Sequence, residues 1–158
     1  ASCVGILSAH IFGYKNKNTL TFAKNLGIAL QLTNIIRDLG EDARRGRIYI
    51  PLDELKKLSV SEEEIISLKN SDKIKNLVQN QVDRAIKFYS LAIKTLPAED
   101  KKSQKIGLIM GNIYFVLLNE ILKDNPEKIL NQKTILPGFR KLRISILTML
   151  GFSWIKNN

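Results

Sequence analysis

Residues 19–45 read TLTFAKNLGIALQLTNIIRDLGEDARR, and Gly46 follows them. Apolar side chains recur in this stretch at intervals of three and four, as they do on one face of an α-helix. The stretch contains no proline, and glycine is the residue that most often follows the end of a helix. It therefore predicts a long helix that begins near Thr19, continues to about Arg45 and stops at Gly46.

The rest of the chain repeats this pattern between short polar breaks, and it contains only nine glycines and four prolines. No stretch of useful length alternates apolar and polar residues as a half-buried strand would. Further helices are expected over 1–12, over 52–58, from Ser61 with a capping-box partner at Glu64, from Ser71 to Pro97, over 100–123 before a break at Asn125 and Pro126, and over 139–154. The predicted fold class is all-α.

The 158 residues amount to one domain, and 44% of them are hydrophobic, which suffices for a core and excludes a disordered chain. The single cysteine, Cys3, cannot form an internal disulfide and is expected in the core. Because the N-terminus also lacks a signal pattern, a reducing compartment is indicated and the expected localisation is cytoplasmic. The most apolar stretch, 106–122, is interrupted by Asn112, Asn119 and Glu120, so no membrane span is predicted.

Lysine and arginine number 25 against 15 acidic residues, which gives a net charge of +10. This charge suits a nucleic acid or a membrane surface, but an ordinary lysine-rich helical protein has the same balance. The arginines lie beside acids instead of along one basic face, so nucleic acid is not expected as a partner. A basic nucleic-acid-binding module is kept as an alternative. Arg140, Lys141 and Arg143 are interpreted either as a membrane-surface or phosphate patch or as a solvated helix start.

The first acidic residue of the chain is Asp38, and Glu41 and Asp42 follow it closely. On a helix, Asp38 and Asp42 lie one turn apart on the same face. Like charges at this spacing cost about 0.2–0.5 kcal/mol unless a cation lies between them. Two such carboxylates can each give an oxygen to Mg²⁺, which keeps its other positions for water and substrate phosphate. The pair is therefore a candidate metal site.

His10 is the only histidine, so a histidine cluster or triad is excluded.

The same helix face changes in character as it approaches the two aspartates. Ala23, Gly27 and Leu30 are small or apolar, and the amides Gln31 and Asn34 come next. This gradient is typical of a site for a ligand with a hydrocarbon tail and an anionic head, because small residues leave room for the tail and acids hold metal against the head.

Arg37, Arg44, Arg45 and Arg47 lie close by in sequence and offer planar donors that suit phosphate oxygens. A plainer alternative is a solvated helix end with ion pairs such as Glu41 to Arg45. The spacing of the charged residues alone favours neither the ligand site nor the solvated helix end. The amides shift the balance towards a ligand site, because polar amides facing the same way as small residues are hard to explain as core.

Residues 30–51 resemble the second aspartate-rich motif of the squalene and phytoene synthase family. Residues 4–5 and 11–14 resemble the helix before that motif, and residues 96–114 and 140–142 resemble the C-terminal helices of the family. The resemblance implies the isoprenoid (terpenoid) synthase fold, a helical bundle around a central cavity. Within the family, the last part of the chain is most similar to the bacterial presqualene diphosphate synthase branch, with phytoene synthase also close.

The resemblance also implies an activity, the head-to-head condensation of two farnesyl or geranylgeranyl diphosphates. Mg²⁺ assists departure of one diphosphate, and the product is a presqualene- or prephytoene-type diphosphate, phytoene or squalene. Whether NADPH takes part is left open. The implied roles are metal ligation by Asn34, Asp38 and Asp42; diphosphate or substrate contact by Gln31, Arg37, Arg44, Arg45, Arg47 and Lys133; the prenyl channel wall by Val4, Gly5, Ala23, Gly27 and Leu30; and a position near the substrate head for Tyr114.

The chain departs from the family pattern at several points. No acid precedes Asp38, so residues 1–158 are expected to form a single helical domain that is the C-terminal part of the family domain without its first aspartate-rich motif. Lys133 stands where relatives carry arginine. A catalytically inactive or split remnant is therefore a further alternative, and activity of the isolated chain is left open. A separate N-terminal half and peripheral contact with the inner membrane face are the partners considered beside prenyl diphosphates.

Overall fold

The computed structural model describes residues 1–69, 71–123 and 126–155, and this part of the chain contains eight α-helices. They are α1 (Ser2–Phe12), α2 (Asn18–Arg44), α3 (Leu52–Lys57), α4 (Glu62–Ile66), α5 (Asp72–Thr95), α6 (Lys105–Lys123), α7 (Pro126–Asn131) and α8 (Gly138–Met149). No strand occurs within the described ranges. The all-α prediction is confirmed.

Helix α2 is the central element of the bundle, and it packs against α1, α5, α6 and α7. Its buried face carries Phe22, Leu26 and Ile36 at helical spacing. On α5, the fully buried Tyr89 has its hydroxyl 3.0 Å from the hydroxyl of Thr33 on α2. Burial raises the pKa of Tyr89, which keeps the phenol neutral. Helix α2 is thus packed against other helices on several sides, and the remaining part of its surface is available for a site.

Several helix ends lie where the sequence predicts them. Gly13 and Gly46 follow α1 and α2 with φ angles of 80° and 67°, a left-handed conformation that glycine adopts without a steric penalty. The Ser61 side chain accepts a hydrogen bond from the backbone N–H of Glu64, whose carboxylate accepts one from the backbone N–H of Ser61. This capping box was predicted from the spacing of the two residues.

The helix expected to begin at Asp100 begins five residues later, at Lys105. A single 3₁₀ turn, Ala98–Asp100, precedes it. The buried Asp100 carboxylate accepts hydrogen bonds from the backbone N–H groups of Lys15 and Asn16, at 2.8 and 3.0 Å, and from the Thr19 hydroxyl at 2.6 Å. These bonds fasten the α1–α2 loop, so the carboxylate is committed to a tertiary contact that local sequence does not reveal.

Two other expectations need correction, one helix was not predicted, and one expectation lies outside the described ranges. Helix α8 ends at Met149 and not at residue 154, since Gly151 adopts φ 99° and turns the chain. Cys3 is exposed instead of buried, because it lies on a different face of α1 from the buried Ala9. The short helix α7 was not predicted at all, and the break expected at Asn125 lies outside the described residues.

Helix α6 is long and apolar enough to cross a membrane by length and composition, with a mean hydropathy of 1.4 over its most apolar window. About a third of that window is buried in the bundle. Its Asn112 amide is buried, donates to the Thr148 hydroxyl of α8 at 3.2 Å, and accepts from the backbone N–H of Trp154 at 2.9 Å. Packing against α2, α5 and α8 thus accounts for part of its apolar character.

Candidate active site

An apolar groove of about 320 Å³ runs between α1, α2 and α6. Its lining is mostly apolar and includes Phe22 and Leu26 of α2 and Met110 of α6. The five residues predicted as channel wall all line it, namely Val4, Gly5, Ala23, Gly27 and Leu30, and Gln31, Asn34 and Tyr114 line it as well. We call this feature the apolar groove. Residues distant in sequence are thus brought to one hollow beside Gly27.

The two channel glycines also have a packing role that the sequence did not indicate. A Cβ on Gly5 would lie 2.6 Å from the carbonyl oxygen of Ala23, and a Cβ on Gly27 would lie 2.9 Å from the Cα of Ser2. Both distances are shorter than real Cβ contacts, so the glycines allow the backbones of α1 and α2 to touch. Their small size therefore serves the helix crossing that forms one wall of the groove, beyond leaving room for a ligand.

A second, polar cavity of about 270 Å³ continues from the groove along α2. Its lining residues are Gln31, Asn34, Ile35, Arg37, Asp38, Asp42 and Tyr49. We call it the acidic cavity. Gln31 and Asn34 line both hollows, so the apolar groove adjoins the cavity that the two aspartates line. The stripe predicted from helical spacing is therefore present as one continuous surface.

Asn34 carries an unusual feature at the junction of the two hollows. Its amide oxygen, Oδ1, is buried and has no hydrogen-bond partner among the described residues. A buried acceptor without a partner costs about 1–3 kcal/mol, so such atoms are rare in folded proteins unless a ligand, ion or water satisfies them. The position of this oxygen, one turn before Asp38, is compatible with a bound cation or polar ligand.

Asp38 is held by two cationic side chains. Arg37 donates from Nε to Oδ1 at 2.9 Å and from Nη2 to Oδ2 at 2.7 Å. Lys133, in the loop between α7 and α8, places Nζ 2.8 Å from Oδ1. Burial raises the pKa of Asp38, but the bonds from Arg37 and Lys133 outweigh it, so the net pKa is lowered. The carboxylate is ionised at neutral pH.

Arg37 and Lys133 are in turn locked in the charged state. The bond to Asp38 raises the pKa of Arg37 against the opposing effect of burial, and the Tyr114 hydroxyl contributes in the same direction. The bond to Asp38 likewise raises the pKa of Lys133, whose Nζ also lies 3.2 Å from Oε2 of Glu41. The charged cluster at the acidic cavity thus consists of Arg37, Asp38 and Lys133, with the Tyr114 hydroxyl next to Arg37.

The other three predicted arginines are not brought to the cavity. Arg44 donates from Nη1 to the carbonyl oxygen of Leu130 in α7, at 3.0 Å. Arg45 pairs with Glu41 at 2.7 Å, the ion pair that the solvated-helix alternative expects, and Arg47 is exposed. None of the three lines either hollow. Arg44 is thus bonded to α7 and Arg45 to Glu41, while Arg47 lies beyond the end of α2.

Tyr49 is a lining residue that sequence reasoning missed. It is exposed, and it contributes to the acidic cavity from the extended segment after α2. The signal was its place within the aspartate-rich motif, Ile48-Tyr49-Ile50, where a large aromatic stands between two apolar neighbours. Because the neighbour Ile50 is buried, the alternation of the extended segment turns Tyr49 towards the cavity.

The donor set can be tested against the expected Mg²⁺. Over the described ranges, no group of three or more His, Cys, Asp and Glu side chains is arranged to hold a metal ion. Asp38, Asp42 and the unpaired amide oxygen of Asn34 nevertheless supply three oxygen donors around one cavity. Mg²⁺ requires few protein ligands and prefers oxygen. The residues present therefore fit a Mg²⁺ ion that completes its shell with water and phosphate oxygens.

Comparisons with known proteins place these features in context. The family model for squalene/phytoene synthase matches residues 1–140. The chain is 33% identical to a phytoene synthase of Arthrospira platensis, over 95% of this chain and 52% of that protein. It is 34% identical to a phytoene synthase of Mycobacterium tuberculosis, over 92% of this chain and 49% of that protein. A chloroplastic phytoene synthase of an Oncidium hybrid is 39% identical over 77% of this chain and 31% of its own length.

A solved structure supports the same relationship. The crystal structure of a dehydrosqualene synthase in complex with a ligand superposes with a TM-score of 0.71 and 25% identity, covering 83% of this chain and 46% of that one. The implied isoprenoid synthase bundle is therefore confirmed as the fold. The chain spans about a third to a half of the length of the relatives named above. With a matching family model over most of its residues and a shared fold, the chain belongs to the squalene/phytoene synthase family.

Proposed function

We propose that this chain supplies the second aspartate-rich half of a prenyltransferase site, which joins two prenyl diphosphates head to head. The observation that carries the proposal is the continuity of the apolar groove with the acidic cavity through Gln31 and Asn34. A hydrocarbon tail fits the groove, and an anionic head then lies beside Asp38 and Asp42. The phytoene synthases and the dehydrosqualene synthase to which the chain is similar support this substrate class.

In this proposal Asn34, Asp38 and Asp42 hold Mg²⁺ through their oxygen atoms. When bound, the ion neutralises the charge that develops on a departing diphosphate. Arg37, which lines the cavity, and Lys133, which contacts Asp38, offer N–H donors that stabilise the same negative charge. Their raised pKa values keep them cationic at every physiological pH.

The apolar groove has a separate task in this reaction. Loss of diphosphate from an allylic carbon leaves a cation that water would quench, and a wall of hydrocarbon excludes water from the reacting carbons. Phe22, Leu26 and Met110 supply this wall, and the Tyr114 hydroxyl lies at its polar end beside Arg37. The proposed product is a presqualene- or prephytoene-type diphosphate, phytoene or squalene, from farnesyl or geranylgeranyl diphosphate.

A partner segment carrying the first aspartate-rich motif is part of the proposal. Apolar side chains of α1 and α6 beside the groove are exposed, including Val4 at 66% and Ile106 at 55%. The related proteins are roughly two to three times as long as the stretch they share with this chain. We propose that further polypeptide of the family, in the same chain or in a separate one, covers this face and completes the metal site.

Peripheral membrane contact at the cytoplasmic side is proposed for α8. Its exposed face presents Phe139, Leu142, Ile146 and Met149, spaced by three and four residues. Arg143 borders this apolar row and could meet anionic headgroups. An amphipathic helix with basic borders is suited to the boundary between lipid headgroups and acyl chains. This location would also bring the protein close to substrates with long hydrocarbon tails.

The proposed site is tested by calorimetric binding of a farnesyl diphosphate thioanalogue, which cannot turn over, with and without Mg²⁺. The wild-type chain should bind the thioanalogue more tightly with Mg²⁺ than without it. In the Asp38→Asn, Asp42→Asn double variant, this gain in affinity should be at least about tenfold smaller. A matched control, Asp53→Asn with Asp83→Asn, removes the same two charges from exposed positions on α3 and α5. Equal Mg²⁺-dependent binding by both double variants would contradict the proposal.

A further inference from the structure

Both oxygens of the Asp38 carboxylate are already engaged by protein cations. Arg37 contacts Oδ1 and Oδ2, and Lys133 contacts Oδ1 at 2.8 Å. Lys133 also reaches Glu41, at 3.2 Å. A divalent ion that binds Asp38 through Oδ1 would have to share this oxygen with an ammonium group. Two cations at one carboxylate oxygen repel each other strongly, because the repulsion grows as their separation falls.

The two cations differ in how firmly they are held. Arg37 makes a two-point contact with its sequence neighbour, and its side chain is only 20% exposed. Lys133 lies outside the helices, in the loop between α7 and α8, and its side chain is 40% exposed. A lysine ammonium is a point charge on a flexible four-carbon stem, so it can move without a change in the backbone. Lys133 is therefore the cation that can leave.

We propose that Lys133 occupies the cation position of Asp38 in the metal-free protein, is displaced when a divalent metal binds, and then pairs with the diphosphate that the metal brings. The proposal rests on the proposed function, because it takes Asp38 as a metal ligand. It adds that metal binding and diphosphate binding are coupled through one side chain. Lys133 opposes the metal when the metal is alone, and it supports the ligand once diphosphate is present.

An alternative role for Lys133 is purely structural, since an ion pair with Asp38 and Glu41 would also fasten the α7–α8 loop onto α2. The two roles predict different signs. A structural fastener, when removed, loosens the site and weakens the binding of metal and diphosphate together. A displaced cation, when removed, strengthens binding of the metal and weakens binding of the diphosphate.

The test begins with Mn²⁺ alone, titrated into the 158-residue chain and followed by the electron paramagnetic resonance signal of the free ion. Lys133→Met should bind Mn²⁺ about three- to tenfold more tightly than wild type, because a partly exposed ion pair no longer competes. Arg45→Met is the matched control. It removes one positive charge from Glu41 of the same cluster without touching Asp38, and it should change the affinity less than twofold.

The second measurement uses inorganic pyrophosphate at saturating Mn²⁺. Lys133→Met should bind pyrophosphate several-fold more weakly than wild type, and Lys133→Arg should restore this binding. Unchanged or weaker Mn²⁺ binding by Lys133→Met, with Asp38→Asn still binding Mn²⁺ more weakly than wild type, would overturn the proposal. Failure of the proposed function is distinct: the Asp38→Asn variant would then bind Mn²⁺ and the thioanalogue as wild type does.

Discussion

Gly40 of α2 and Leu130 of α7 are in direct backbone contact. A Cβ on Gly40 would overlap the carbonyl oxygen of Leu130, so only glycine allows α7 to lie this close. The same carbonyl accepts a hydrogen bond from Arg44, one turn further along α2. Lys133 follows α7 by two residues and reaches back to Asp38. The close packing of α7 on Gly40 thus helps to place Lys133 within reach of Asp38.

Gly40→Ala is expected to destabilise the protein and to disturb the Lys133 contact. The added methyl group must push α7 away, and overpacking of this kind costs about 1–3 kcal/mol of unfolding free energy. Urea unfolding followed by circular dichroism measures the loss. Gly138→Ala is the control, because nothing lies within 4 Å of a Cβ there, and it should be neutral or stabilising by up to about 1 kcal/mol. Equal stability of the two variants would contradict the close approach.

Asn34→Ala is expected to separate stability from binding. The Asn34 oxygen has no partner among the described residues, so its loss breaks no hydrogen bond of that oxygen and should leave the unfolding free energy unchanged or raise it by up to about 1–3 kcal/mol. Binding of the thioanalogue with Mg²⁺ should nevertheless fall. Asn112→Ala provides the contrast, because its amide bonds Thr148, and its oxygen accepts from Trp154. Leaving those groups unpaired should cost about 1–3 kcal/mol. A large stability loss in Asn34→Ala would show that its amide is structural.

Glu120 predicts a pH dependence of stability. Arg140 of α8 and Lys123 donate to its Oε1 at 2.9 and 3.0 Å, and these bonds, Arg140 first, lower its pKa from an ordinary 4.5 to about 2. Because the folded value lies below the unfolded one, the stabilisation is present above about pH 4.5 and is lost as the pH falls towards 2. Glu120→Gln should therefore unfold more easily than wild type at pH 6, with the difference closing by pH 2.

The measurement is the urea midpoint of wild type and Glu120→Gln at intervals between pH 6 and pH 2. Arg140→Gln is the companion variant, since it removes the stronger of the two partners from the other side. It should flatten the same part of the pH profile. Parallel profiles for wild type and Glu120→Gln over this range would show that the ion pair contributes nothing to stability.

Ser8→Phe is expected to narrow the apolar groove without touching the acidic cavity. Ser8 of α1 lines the groove and makes no contribution to the polar cavity. The added ring should weaken binding of a prenyl thioanalogue several-fold and leave the binding of pyrophosphate with Mg²⁺ unchanged. Calorimetry with the two ligands separates the effects. Loss of pyrophosphate binding would instead indicate that the substitution disturbs the whole site.

Ile146→Glu is expected to reduce binding to vesicles that contain anionic lipid. Ile146 lies in the middle of the apolar row of α8 and is 50% exposed, so a carboxylate there opposes insertion. Ile66→Glu is the control, because Ile66 is exposed to a similar degree, 45%, but lies on α4 and outside the apolar row of α8. Co-sedimentation should separate the two variants. Equal sedimentation of both would exclude α8 as the contact.

Much of the candidate site could be predicted from the sequence because it lies on one helix. Gln31, Asn34, Asp38 and Asp42 are spaced by three and four residues, and the geometry of an α-helix places such residues on one face whatever surrounds it. The helix ends at Gly13 and Gly46 followed from equally local rules, and the structure has them there.

Other parts depended on contacts between distant residues. The start of α6 was misplaced because Asp100 bonds to Lys15, Asn16 and Thr19, more than 80 positions earlier in the chain. Helix α7 was missed because its stability comes from packing against α2, and a helix this short is marginal without tertiary support.

The sequence by itself determined the class of fold, the order of its long helices and the face of α2 that carries amides and acids, since helical periodicity is a local property. Only the tertiary structure decided that this face opens into a groove and that Gly5 and Gly27 allow two helices to cross closely. It also decided that Lys133 forms an ion pair with Asp38. The physical reason is that packing depends on which surfaces meet across the bundle, and no spacing along the chain records that meeting.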